Sequence, residues 1–342
     1  MSGEKVNVGL IGLGLISRVH QRGYLEIPDK ATIVAVCDIN QDVVERTAAA
    51  LGCAAYTEYH ALLADPRIDA VDITLPHNLH YAVVKSALEH GKHVLVEKPM
   101  AATAAECREL IELARAASVT FTVAENTRFV TAYLAAEALL QAGTLGAPRL
   151  IRTLISGSEV ERLSNPTLWK GRRDGTVGGT ILDAGPHSFY LLKWLFGEIA
   201  TVRAFQAQLV PESEVEDHAV VAGTLRTGAL FTTEYTFTAE IPWGERCEIY
   251  GSTGSLIIDQ LCNPPALHYR GGQDYQGEAL AGVPYDPRGW KGTSIAEGVK
   301  DFVGAILEHR PPAVDPLDGY YTLKVVEHAY ASVALAGQSV SL

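Results

Sequence analysis

The chain lacks a disulfide framework, a long hydrophobic run and an excess of positive charge. Its five cysteines (Cys37, Cys53, Cys107, Cys247 and Cys262) are odd in number, and none forms a C-x-x-C pair. That spacing points to reduced thiols in a reducing compartment, with no thiolate metal centre and no metal expected. The apolar stretch VNVGLIGLGLIS after Lys5 is too short to cross a bilayer and has no small-residue cleavage site. A cytoplasmic protein with no membrane partner is expected. Lys and Arg total 28 against 40 Asp and Glu, a net charge of −12. This argues against a nucleic-acid groove and against an anionic membrane surface. Internal repeats and low-complexity segments are also missing. What remains is a 342-residue chain, 47% hydrophobic and 20% charged, which fits a globular protein of two domains.

The first third alternates strand and helix. KVNVGLIGLG, ATIVAVCDIN, DAVDITLP, HVLVEKP and VTFTVAEN read as strands. Helices lie between them, two closed by Gly52 and Gly91, and one opened by Thr103 with Glu106 three residues on as a capping box. Near-continuous apolar strands separated by helices predict a parallel sheet covered on both faces. After about Gly143 the pattern changes. TVRAFQAQLV, HAVVAGTLRTGALFTTEYTFT and ERCEIYGSTGSLIID alternate, with Phe231, Thr233, Tyr235 and Phe237 on one face. That predicts an antiparallel sheet, followed by helices in IAEGVKDFVGAILEH and YYTLKVVEHAYASVAL. The fold class is α/β: a Rossmann domain over residues 1–125, then an α+β substrate-binding and oligomerisation domain with an open, mostly antiparallel sheet over 126–342. The stretch from Asn263 to Gly289 reads as a long polar loop, a lid or an assembly element.

GLIGLGLIS supplies Gly12-x-Gly14-x-x-Ser17 between the first strand and a helix. Gly12 permits the tight turn, and Gly14 lets the backbone approach a pyrophosphate on the helix N-terminus, at Leu15 and Ile16. Ser17 in place of a third glycine predicts looser helix–strand packing. The second strand ends in Asp38, at about the 20-residue offset of a ribose-binding carboxylate. Asp38 would repel a 2′-phosphate, and Ile39 and Asn40 follow it rather than an arginine. NAD is therefore favoured over NADP, although a strand-end turn residue would look the same. The third strand ends in ITLPHNLH, which brings Thr74, Pro76, Asn78 and His80 to the carboxyl edge as cofactor candidates; Asn78 also suits a helix N-cap. Glu97 and Lys98 end the fourth strand at the same edge and are cofactor candidates as well. Pro99 keeps Lys98 out of helical geometry, whether as a cation aimed into a cleft or as a solvated lysine.

Asp183 and His187 are four apart, so a helix would put them on one face. Pro186 kinks or restarts that helix. Their neighbours Ile181, Leu182, Phe189, Leu191, Leu192, Trp194 and Leu195 are apolar, so the pair is expected to be partly desolvated. A purely structural Asp–His hydrogen bond fits this pattern as well as a catalytic pair does.

Three stretches together, GLIGLGLIS, GKHVLVEKPM and GGTILDAGPHSFYLLKWLFG, resemble the glucose–fructose oxidoreductase / inositol dehydrogenase / MocA family. The resemblance runs over nearly the whole chain. It implies a dehydrogenase that uses NAD to oxidise a secondary ring hydroxyl of a sugar, amino sugar or cyclitol, or runs the reverse reduction. It also implies a homodimer or homotetramer built through the outer face of the second domain's sheet. Carried over by position, Lys98 matches the family's catalytic lysine, and Asp183 and His187 its Asp-x-x-x-His pair. Tyr190 stands where the family often has an acidic residue. In the implied chemistry His187 accepts the hydroxyl proton, Lys98 stabilises the oxygen, and Asp183 orients His187 or holds a neighbouring hydroxyl. Asn126 is a further cofactor candidate. Arg128, Glu159, Trp169 and Arg172 are further substrate candidates, with Lys170 and Arg173 of the same LWKGRRDG stretch, set against the ordinary solvated loop charge. Glu159 and Glu161 suggest an amino sugar, as in aminoglycoside pathways. Two competing functions remain on the same fold: a non-catalytic NAD-binding regulator and a glycosidase that uses NAD transiently.

Overall fold

The computed structural model describes residues 5–270, 277–287 and 289–342. They form two units. One is the chain up to Asn126 together with Gly292–Tyr320; the other is Thr127–Lys291 with Tyr321–Leu342.

The first unit is a six-stranded sheet. Its strands are β1 (Val6–Ile11), β2 (Ala31–Cys37), β3 (Ala54–Tyr56), β4 (Ala70–Ile73), β5 (His93–Val96) and β6 (Phe121–Val123). They run in the order β3-β2-β1-β4-β5-β6, and every pairing is parallel. The helices α1 (Leu15–Leu25), α2 (Gln41–Leu51), α3 (Tyr59–Leu63), α4 (His80–Glu89) and α5 (Ala104–Ala117) make the connections. Parallel strands need such crossovers, and their apolar faces explain why Val8, Val36, Val71 and Val94 are all fully buried. The strand order reverses between β1 and β4, which makes the carboxyl edge there the ligand crevice of this architecture. The expected capping box at Thr103 and Glu106 is present on α5.

The second unit holds α6 (Thr131–Gln141), β7 (Pro148–Ser156), α7 (Val160–Ser164), α8 (Arg173–Thr176), α9 (Thr180–Asp183) and α10 (Gly185–Phe196). The strands β8 (Ile199–Ala207), β9 (His218–Leu225), β10 (Leu230–Thr236), β11 (Gly244–Gly251), β12 (Gly254–Asp259), β13 (Ala266–Arg270) and β14 (Glu278–Ala279) follow. The chain closes with α11 (Trp290–Leu307), α12 (Pro316–Ala334) and β15 (Val340–Ser341). The nine-stranded sheet is antiparallel except where β10 pairs with β7. Phe231, Thr233 and Tyr235 are buried on the face the alternation predicts.

Two expectations change. The helix α11 does not belong with the second unit from Gly292 onward. Its Val299, Phe302 and Val303 complete the core of the first unit, and Gly23 meets Val299 so closely that an added Cβ would lie 2.7 Å from it. The polar stretch from Asn263 to Gly289 is not one loop, because β13 and β14 within it extend the sheet beyond β12. The part of that stretch at 271–276 and 288 lies outside the described residues.

Among the described residues no helix is long and apolar enough to cross a membrane. No group of three His, Cys, Asp or Glu among them is placed to hold a metal ion.

Candidate active site

In the first unit the carboxyl edge forms a cradle. Gly12 has φ +91°, and a Cβ there would sit 2.5 Å from the Thr74 carbonyl oxygen, so only glycine fits. Thr74 fixes the same turn by donating its hydroxyl to the Gly12 carbonyl at 2.7 Å. Gly14 is the N-cap of α1 with no side-chain cap, and nothing lies within 4 Å of where its Cβ would be. The first-turn amides of α1, at Leu15 and Ile16, thus meet no acidic side chain from their own turn. Such a helix end suits a pyrophosphate. Asp38 accepts the Leu13 N–H at 2.8 Å on one oxygen and the Asn40 N–H at 2.9 Å on the other. Each oxygen keeps a lone pair for a ribose hydroxyl. These residues fit a dinucleotide without a 2′-phosphate.

At the tip of β5, Glu97 is buried and Lys98 is partly buried. The Lys98–Pro99 peptide is cis. One Glu97 oxygen meets His20 Nε2 at 3.0 Å, and the other accepts the Lys98 backbone N–H at 3.0 Å. Glu97 is therefore turned inward to a histidine as well as to its neighbour's backbone. His80 also departs from its expected role. It is fully buried, with its ring nitrogens 2.7 Å from the Pro99 carbonyl and 2.9 Å from the Leu75 carbonyl. As a neutral ring it donates to one of these two carbonyls, and both nitrogens face backbone rather than a cofactor. Burial depresses its pKa. Pro76 opens a short 3-10 turn over His77–Leu79, and Asn78 is exposed there. The N-cap of α4 is Leu79, so Asn78 is not that cap. Asn126 is buried and donates to the Ser294 hydroxyl at 2.9 Å.

In the second unit the expected single helix through Asp183 and His187 is two helices. Here α9 ends at Asp183, and α10 starts at Gly185 with Pro186 in its first turn, where a missing N–H removes no internal bond. Asp183 and His187 are each only 5% exposed. Asp183 accepts a hydrogen bond from the ammonium of Lys170, itself buried. That ammonium lies 5.5 Å from the Trp169 ring centre and 5.6 Å from that of Phe237. His187 Nδ1 is 3.4 Å from the Thr127 hydroxyl. Glu216, also buried, accepts the Gly179 and Ile181 N–H groups and the Tyr330 hydroxyl, and so fixes the start of α9. Tyr190, at the position of the family's acidic residue, is buried 6.0 Å from the Trp194 ring.

The remaining candidates have other partners. Arg128 lies 4.3 Å above Trp194 and pairs with Glu137 at 3.4 Å. Arg172 is exposed and paired with Asp174. Glu159 pairs with Arg162 at 2.8 Å, which offsets one of the two charges that suggested a cationic substrate.

Residues 6–125 match the oxidoreductase family with an NAD-binding Rossmann fold, GFO/IDH/MocA, and residues 133–257 match the GFO/IDH/MocA C-terminal domain. Among its relatives, myo-inositol 2-dehydrogenase of Thermotoga maritima is 28% identical, covering 93% of each chain. A dTDP-3,4-didehydro-2,6-dideoxy-alpha-D-glucose 3-reductase of Streptomyces violaceoruber is 34% identical over 68% of this chain and 67% of its own. The crystal structure of an oxidoreductase domain protein from Kribbella flavida is 26% identical, with a TM-score of 0.89 over 100% of this chain and 99% of its own.

The chain belongs to the GFO/IDH/MocA oxidoreductase family. It is an oxidoreductase acting on CH–OH groups, and its cofactor is NAD. Within this GFO/IDH/MocA chain one buried partner, Lys170, is weighed from sequence mainly as a solvated loop charge, and a second, His20, is not singled out. Lys170 sits in the charge run LWKGRRDG, which has the composition of a solvated loop. The only signal was the aromatic Trp169 beside it. His20 sits in SRVHQRGY, which reads as the polar side of α1, and nothing local marks it as buried.

Proposed function

We propose that this enzyme oxidises a secondary ring hydroxyl of a sugar or cyclitol to a ketone, or runs the reverse reduction. The observation that carries this reading is a set of two buried contacts in the second unit, Lys170 with Asp183 and His187 with Thr127, with Trp169 and Phe237 beside the ammonium. Paired donors and acceptors suit the vicinal hydroxyls of a polyol, and aromatic faces suit the apolar C–H face of a ring. Relatives named for inositol and for a deoxysugar nucleotide support the same class.

The roles follow from the chemistry of each group. Gly12, Gly14 and Asp38 would hold NAD, whose nicotinamide would supply the hydride acceptor for the carbinol carbon. His187 takes the hydroxyl proton as the C=O bond forms. Lys98 donates a hydrogen bond to that oxygen as its negative charge grows. Asp183 and Lys170 hold the neighbouring hydroxyls of the ring. Assembly as a homodimer or homotetramer through the second unit's sheet belongs to the same proposal. On that sheet Arg152 pairs across strands with Glu234 and Glu248, each at 3.3 Å.

A panel of sugars, inositols and amino sugars, assayed for NADH formation with NAD and NADP, tests the reading. Turnover of at least one polyol with NAD is expected. Release of free sugar from glycosides with no net NADH would overturn it.

A further inference from the structure

Burying charge is costly, and the first unit buries three ionisable groups in one line. Asp72 on β4 is 1% exposed, His20 on α1 is 0% exposed, and Glu97 at the tip of β5 is 8% exposed. The His20 ring joins the two carboxylates: Nδ1 lies 2.9 Å from Asp72 Oδ2 and Nε2 lies 3.0 Å from Glu97 Oε1. Tyr24, one turn further along α1, donates its hydroxyl to Asp72 at 3.0 Å. Burial alone would lower the His20 pKa, but Asp72, followed by Glu97, more than reverses this and raises it to about 10. The ring is therefore an imidazolium at neutral pH, donating from both nitrogens.

Well-packed apolar side chains of similar volume commonly match or exceed a buried ion pair in stability. The ladder is thus hard to explain by stability alone. Its far end gives a better reason. The second Glu97 oxygen accepts the backbone N–H of Lys98 at 3.0 Å. One oxygen is fixed by His20, so the direction of the other is fixed too. On the far side of the same turn, His80 holds the Pro99 carbonyl at 2.7 Å.

We propose that His20 is a positioning residue for Lys98, acting through the Glu97 carboxylate that it orients. The inference rests on the proposed role of Lys98 as the group that stabilises the reacting oxygen. Displacing a catalytic group by about 1 Å is enough to lose about a hundredfold in rate. The ladder couples α1, which starts at the glycine turn, to the strand tip that carries the lysine.

The test is a double-mutant cycle in the full-length enzyme. His20→Leu removes the bridge, and Lys98→Ala removes the group it is proposed to position. In His20→Leu, kcat should fall by about tenfold to a hundredfold. The substrate KM and the NADH dissociation constant should stay within about threefold, as expected when only transition-state contacts are lost. In the Lys98→Ala background, His20→Leu should cost nothing further. An unchanged kcat, or an equal loss in both backgrounds, would overturn the inference. If His20→Leu does not fold, Glu97→Ala and Glu97→Gln decide the matter. Glutamine can still accept the Lys98 N–H, and its amide can donate to Nε2 of a His20 ring made neutral by the loss of the Glu97 charge, so it should restore most of the turnover that alanine loses. Equal turnover in the two would refute the role. Wild-type turnover in Lys98→Ala alone would instead refute the reading of Lys98, which separates the two failures.

Discussion

The carboxylate of Asp38 accepts the backbone N–H of Leu13 at 2.8 Å, so the end of β2 and the glycine turn are fixed to one another. The residue proposed to receive the ribose also shapes the loop proposed to hold the pyrophosphate. Replacing it with serine removes the negative charge and shortens the reach to Leu13. The kcat/KM for NAD should fall by about tenfold or more, the usual cost of a lost charged hydrogen bond. The NADP-to-NAD ratio should rise, because the repulsion of a 2′-phosphate is gone. Steady-state rates with both cofactors check this. An unchanged ratio would make Asp38 a turn residue only.

Lys98→Ala and His187→Ala should each lose about a hundredfold or more in turnover. Both side chains belong to segments held by other contacts: Lys98 by the bonds to its backbone, and His187 by the packing of α10. Thermal unfolding and NADH binding should therefore stay near wild type in both. Single-turnover measurement of NADH formation separates chemistry from release. Near-normal rates in both variants would remove the assigned roles.

The Lys170–Asp183 pair is nearly dry, with side chains 10% and 7% exposed. Breaking such a pair by removing one partner leaves an uncompensated buried charge, at a cost of about 3 kcal/mol. Asp183→Asn should therefore destabilise the protein by that order in urea unfolding. The double variant Lys170→Met with Asp183→Asn should be more stable than Asp183→Asn alone, because the orphaned ammonium is gone. Turnover should remain low in both, since the pair is proposed to hold substrate hydroxyls. If the two substitutions prove additive in stability, the pair is not coupled as its geometry requires.

The parallel sheet was legible because its signals are local. Apolar runs, glycine turns and Asp38 all lie within short windows, and each reports on its own element. The centre of the second sheet was harder. PRLIRTLIS forms β7, the strand next to β10 and β11, yet two arginines interrupt it and no hairpin turn ties it to a neighbour in sequence. Its pairing with β10 joins residues about 80 positions apart, as in Ile151 with Phe231, and no periodicity encodes that. Lys170 reads first as a solvated charge and His20 carries no mark at all, for a related reason. A charged side chain in a polar stretch looks solvated until the fold supplies its counter-charge from Asp183, 13 residues away, or from Asp72 and Glu97, 52 and 77 away. The reverse happened at His80, where a motif position at the ligand edge turned out to hold the backbone from inside.

The buried imidazolium gives a sign to the pH dependence of stability. The groups that face His20 are Asp72, Glu97 and, through Asp72, the hydroxyl of Tyr24. Its pKa is raised from 6.5 to about 10 in the folded protein. Below the unfolded value both states hold the proton, and the stabilisation is present in full. As pH rises from there to about 10, the unfolded chain has lost a proton that the folded one keeps, so stability falls continuously. Other groups titrate in the same window, so the informative quantity is a difference between proteins. Asp72→Asn removes the carboxylate that contributes most to holding the charge, and should flatten the decline in melting temperature between neutral pH and the alkaline limit. Parallel curves for wild type and Asp72→Asn would mean that the ring is already neutral at pH 7, and that the ladder is held by an uncharged histidine.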